Sequence, residues 1–125
     1  MTLVLDAGAL VALDRRDRQV GALLRVAQRD GRRVTTSAAV IAQVWRDGAR
    51  QVNLARVLTG VAARALDERA AREVGDLLAK SHTSDIVDAH VAVITHAGDH
   101  VLTGDVGDIA GLLEARAVQA AVVRV

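Results

Sequence analysis

The chain has no cysteine, no proline, no phenylalanine and no tyrosine, and its one aromatic residue is Trp45. Without cysteine there are no disulfides and no thiolate metal sites; a reducing compartment is permitted but not proved. Without aromatics, Val, Leu, Ile and Ala must fill the interior. Stacking on nucleic-acid bases then has only Trp45 to draw on, and the helical spacing of Trp45 from Ile41 and Gly48 suits core or interface better. No apolar run approaches the length of a membrane span, and no basic segment followed by an apolar stretch opens the chain as in a signal peptide. A soluble cytoplasmic protein is expected.

What is present fits one domain of 125 residues. A chain of that size buries well over half of its unfolded surface, and 51% hydrophobic residues make it globular rather than disordered. The net charge of +1 is unevenly distributed. Residues 1–66 carry eleven Arg against five Asp, whereas residues 67–125 carry four Arg and one Lys against ten acids. Such asymmetry suits a polyanion-facing region beside an acidic one, although a solvated helix surface explains it as simply. Fifteen of the sixteen basic residues are Arg. Its fork can bind two phosphate oxygens, but genomic base composition produces the same bias.

The patterning alternates strands and helices. Thr2–Leu5 is short, apolar and bounded by Asp-Ala-Gly, as a buried strand is. A short helix follows, then one over Asp17–Asp30 with Val20, Leu23, Leu24 and Ala27 at helical spacing. Arg33–Ser37 is a second strand, and Ser37 can cap a helix running to about Gly48. Asn53 is placed as the cap of a short helix ending at Gly60. Val61–Leu66 is a weak third strand, and Asp67 caps a helix through Ala79. A helix over Ser84–Ala97, a strand over "HVLTG", a short helix over Asp108–Ala115 and a last strand "AAVVRV" complete the chain. This order implies βαβ units: an α/β fold with a central, mostly parallel sheet flanked by helices in three layers.

In such sheets ligands bind beyond the carboxyl ends of the strands, where the strand order reverses. Asp6 and Asp105 stand at two such ends. Asp88 lies near the start of a helix whose apolar surroundings predict burial, and Asp85 shares its face. Each acid also has a purely structural use. Asp85 and Asp88 form a capping-box-like pair, Asp6 and Asp105 suit turns, and Asp108 is placed as the cap of its helix. Taken together, Asp6, Asp88 and Asp105 form a candidate cluster. Carboxylates that close repel by about 1 kcal/mol at ~4 Å in water, and by more near protein, so the cluster needs a cation or a proton. Oxygen-only donors suit Mg²⁺ or Mn²⁺.

The blocks "LVLDAGALVAL", "TTSAAVIAQVWR" and "SDIVDAHVAVITHAGDHVLTGDVGDI" resemble, in order, those of a PIN domain, and most closely the small VapC-type toxins. The resemblance spans nearly the whole chain. It implies a metal-dependent endoribonuclease, a small antitoxin protein as partner and a tendency to dimerise. It matches Asp6 to the first family acid, Asp88 to the acid of the "DAHVA" helix and Asp105 to that of "T-x-D". On this reading the cation activates water against an RNA phosphodiester, leaving a 5′-phosphate and a 3′-hydroxyl. Asp85 and Asp108 are candidate outer acids, and Arg15, Arg16 and Arg46 are candidate phosphate contacts. The chain departs from the family at Gln43, where a Glu is usual. A neutral amide can still hold a metal-bound water, and Asp47, four residues on, is a candidate to replace the charge.

Other signals are weaker. Gly104, Gly107 and Gly111 match neither a dinucleotide fingerprint nor a phosphate loop. His82, His90, His96 and His100 lack zinc-protease spacing and are expected at the surface or packed. A phosphatase built on Asp6 as nucleophile lacks its usual second acid, because Gly8 stands there. Two functions stay open: a ribonuclease of a toxin–antitoxin pair, or a non-catalytic PIN-like module that binds RNA or protein after Gln43 weakened the metal site.

Overall fold

The computed structural model describes all residues, Met1–Val125. In chain order the strands are β1 (Thr2–Leu5), β2 (Arg33–Ser37), β3 (Ala62–Arg64), β4 (His100–Thr103) and β5 (Ala121–Arg124). The helices are α1 (Ala7–Asp14), α2 (Arg18–Arg29), α3 (Ala38–Val44), α4 (Val52–Leu58), α5 (Glu68–Ser81), α6 (Ile86–Ile94) and α7 (Val106–Ala115). The sheet order is β3-β2-β1-β4-β5, and every pairing is parallel. The expected α/β architecture is therefore present, with a fully parallel sheet.

Connections β1→β2→β3 step one way along the sheet and β4→β5 steps the other way. Right-handed crossovers place α1–α4 on one face and α5–α7 on the other. The packing agrees: α1 rests on α2, α3 and α4, while α5, α6 and α7 rest on one another. The strand order reverses between β1 and β4, which are direct neighbours with Leu5 opposite Leu102. Their carboxyl ends carry Asp6 and Asp105.

The core cluster holds 22 buried residues, all Leu, Val, Ile or Ala. Its centre is the two-sided apolar run of β1 and β4, with Val4, Leu5, Val101 and Leu102 at most 1% exposed. A strand covered on both faces has no polar side, so these runs do not alternate. Trp45 is not in this core. It is 38% exposed, and its ring lies over Gly48, where an added Cβ would stand 2.9 Å from Cζ2.

Several element ends differ from the sequence expectation. The middle helix stops at Val44, not near Gly48, because Trp45 is extended. The Gln51 side chain holds the turn that follows, accepting from the Arg46 and Asp47 amides at 2.7 and 3.0 Å and donating to the Val44 carbonyl at 2.9 Å. Asn53 does not cap α4. Gln51 occupies the cap position without a side-chain bond, and Asn53 Nδ2 donates to the Asp14 carbonyl at 3.1 Å. The strand expected over Val61–Leu66 is shorter, and the helix expected to reach Ala97 ends at Ile94. Asp17, Ser37, Asp67 and Asp85 cap their helices through side-chain oxygens, which agrees with Ser37 and Asp67 as placed. No helix is long and apolar enough to cross a membrane.

Candidate metal centre

Asp6 follows the buried run of β1 and caps α1, its Oδ1 accepting the Ala7 amide at 2.7 Å. Its backbone amide continues the sheet by donating to the Leu102 carbonyl of β4 at 3.0 Å. Its other oxygen accepts the Thr103 hydroxyl at 2.7 Å. Thr103 Oγ1 in turn accepts the Asp105 amide at 2.9 Å. One buried hydroxyl thus joins the acid after β1 to the acid after β4. Sequence reasoning passed over Thr103, although the "T-x-D" pattern contains it.

Asp88 comes from the opposite helix layer, in the first turn of α6. Its amide donates to Asp85 Oδ1 at 2.9 Å, so the capping use expected of Asp85 is present. Asp6, Asp88 and Asp105 each offer a carboxylate oxygen, and these atoms all lie within 4.8 Å of one another. Asp6 is 2% and Asp88 8% exposed; Asp105 is exposed. The cluster therefore has a buried floor and one side open to solvent.

The electrostatics are uncompensated by the chain itself. None of the five salt bridges involves a member of the cluster. Burial raises the carboxyl of Asp88 to about 7, helped by the negative charges of Asp85, Asp6, Asp105 and Asp108. Burial also raises Asp6, against the hydrogen bonds from Thr103 and Ala7 that favour its anion. Three oxygen donors with no Lys, Arg or His among them suit a hard divalent cation, and one would replace the proton that Asp88 otherwise retains. The residues present fit Mg²⁺ or Mn²⁺.

The remaining candidates lie around or away from this point. Asp108 is in the first turn of α7, but it does not cap it. Asp105 takes the cap position through its backbone, its carbonyl accepting the Ile109 amide at 3.0 Å. Gln43 is exposed on α3, a helix packed against α1 and α6. Asp47 does not stand one helical turn beyond Gln43, because the helix has ended. Its carboxylate accepts the Ala49 amide at 3.1 Å and pairs with Arg50 at 3.7 Å. Arg15 and Arg16 are exposed just past the far end of α1, about 12 Å along the helix from Asp6. Arg46 closes α3, its Nη1 donating to the Ala42 and Trp45 carbonyls at 3.0 and 2.6 Å.

His90, two residues beyond Asp88, is packed as expected. It is fully buried, and its Nδ1 meets Ser37 Oγ at 2.5 Å. Burial lowers its pKa, which favours the neutral ring, and the contact with Ser37 braces α6 against the end of β2.

The fold is α/β with a fully parallel five-stranded sheet, and three acids converge at its switch point. No protein-family model matches the chain, and no curated protein matches it. Among solved structures the fold is shared with a chain of the crystal structure of VapBC2 from Rickettsia felis bound to a DNA fragment from their promoter. The superposition has a TM-score of 0.68 and covers 100% of this chain and 99% of that one, at 12% sequence identity. The likeness at that identity is one of fold.

Proposed function

We propose that the chain is a metal-dependent endoribonuclease, the toxin of a toxin–antitoxin pair whose partner is a small antitoxin protein. The observation that carries this reading is the convergence of Asp6, Asp88 and Asp105, with oxygens within 4.8 Å, at the switch point of a PIN-like sheet. The fold shared with a VapBC2 chain supports the toxin assignment. Bound there, Mg²⁺ or Mn²⁺ would lower the pKa of water and stabilise charge on a phosphodiester.

The chain's own residues hold and orient. Thr103 fixes one oxygen of Asp6 and the backbone amide of Asp105, so the corner that carries Asp105 is tied to Asp6 before any ligand arrives. Asp88 closes the cluster from α6 and loses its proton when the cation binds. Asp85 and Asp108 add negative charge from its surroundings. Exposed Arg15, Arg16 and Arg46 are the proposed phosphate contacts.

The test is cleavage of a mixed RNA pool by purified protein with Mn²⁺, Mg²⁺ or EDTA. Cleavage that requires the cation and falls by more than about a hundredfold in Asp6→Asn is expected. A folded, antitoxin-free protein that leaves RNA intact overturns the nuclease reading. Gln43→Glu then tests whether the neutral residue on α3 is the cause.

A further inference from the structure

Gly8 is the second residue of α1, and its φ is not in the left-handed region. Helices favour alanine over glycine, so backbone conformation gives no reason for glycine here. Proximity does. A Cβ on Gly8 would lie 2.9 Å from the backbone N of Gly104 and 3.3 Å from its Cα. Neither atom can swing aside as the tip of a side chain can. The Cβ positions of the helical glycines Gly75, Gly107 and Gly111 meet nothing within 4 Å, and that of Gly21 meets only the flexible end of Arg25. Among the helical glycines the close approach is confined to one place, where the first turn of α1 meets the backbone of the corner Thr103–Gly104–Asp105.

That corner is also where the candidate ligands are tied together. Asp6 directly precedes α1, and Thr103 bonds both Asp6 and the Asp105 amide. The Gly8–Gly104 approach sits beside those two bonds. A side chain on Gly8 would have to displace the Gly104 backbone, which lies between Thr103 and Asp105.

We infer that Gly8 is a positioning residue of the carboxylate cluster: the space left by its missing Cβ sets the separation of Asp6 from Asp105. The geometric part stands on the contacts alone; its consequence for cation binding rests on the metal-site reading above.

Gly8→Ala is tested in a Gly75→Ala background, whose unobstructed Cβ strengthens α5 and guards against unfolding. Adding Gly111→Ala gives a second, more stable background for the same readout. In the metal-free protein, hydrogen exchange of the Asp105 amide reports its bond to Thr103, and Gly8→Ala is expected to speed it about tenfold. The amide of Ala89 in α6 should not respond. The dissociation constant for Mn²⁺ should rise about tenfold to a hundredfold, the range seen when groups supporting metal ligands are disturbed. Unchanged Asp105 exchange in the folded variant overturns the positioning role. Faster exchange with unchanged Mn²⁺ affinity overturns its consequence for the cation. If the parent protein binds no Mn²⁺ while Asp105 exchange still responds, the metal reading fails and the geometric role stands.

Discussion

Asp88 is under tension that the folded chain does not relieve. It is nearly buried, four other acids act on it, and no basic side chain pairs with it. Asp6 shares the condition in milder form. Both acids hold protons more tightly in the folded chain than in the unfolded one. Between about pH 4 and pH 7 these two carboxyls therefore bind more protons in the native state, and their contribution to stability falls as pH rises, outweighing the opposite contribution of the single buried His90. Each tenfold change in protonation corresponds to about 1.4 kcal/mol, so the loss is on the order of a few kcal/mol. The metal-free protein should melt at a lower temperature at pH 8 than at pH 5, and Mn²⁺ should restore much of the difference. Asp88→Asn should flatten most of the slope and match or exceed the parent stability at pH 8 without metal. Thermal melts across that range check this, and a flat parent profile would contradict it. The three acids themselves were legible in the sequence, because each ends or begins an element that patterning could place. Thr103 and Gly8 were not, since their roles depend on β1 and β4 being neighbours. Asp108 is expected as the cap of its helix, but α7 starts two residues earlier, directly at the corner, and leaves that position to Asp105.

At the scale of elements, both ends of the sheet hold a buried, hydrogen-bonded carboxylate, but only the carboxyl end gathers several. At the amino end, Asp99 is buried and satisfied. Its oxygens accept the Thr2 amide at 2.9 Å and the His96 amide at 2.8 Å, tying the start of β1 to the turn before β4. At the carboxyl end the acids face one another. Asp99→Ala leaves two amides without partners and should cost about 2 kcal/mol of stability, read by urea denaturation. Its Mn²⁺ affinity should equal that of the parent; a large loss would mean that the two ends are coupled. Strand identity was legible from the short apolar runs and their polar boundaries. Helix ends were less so. The stop at Val44 comes from Gln51, seven residues on, whose amide takes over the backbone groups a longer helix would have satisfied. Periodicity around Ile41 and Val44 carries no trace of that clamp.

Across the whole molecule, the charge asymmetry of the sequence acquires a place. The arginine-rich first half builds β1–β3 and the layer α1–α4, while the acidic second half builds β4, β5 and the layer α5–α7. The cluster forms at the seam, with Asp6 from the first half and Asp88 and Asp105 from the second. The α/β class and the alternation of elements could be read in advance. The order of strands could not, because residues 6 and 105 become neighbours only when β4 inserts beside β1. The most direct test of this seam as a cation site is calorimetric titration of the metal-free protein with Mn²⁺ near pH 6.5, in two buffers of different ionisation enthalpy. Saturable binding with proton release is expected, because the cation displaces the proton held on Asp88, and Asp6→Asn should bind far more weakly. A folded parent protein that shows no saturable binding, or equal binding by Asp6→Asn, would contradict it.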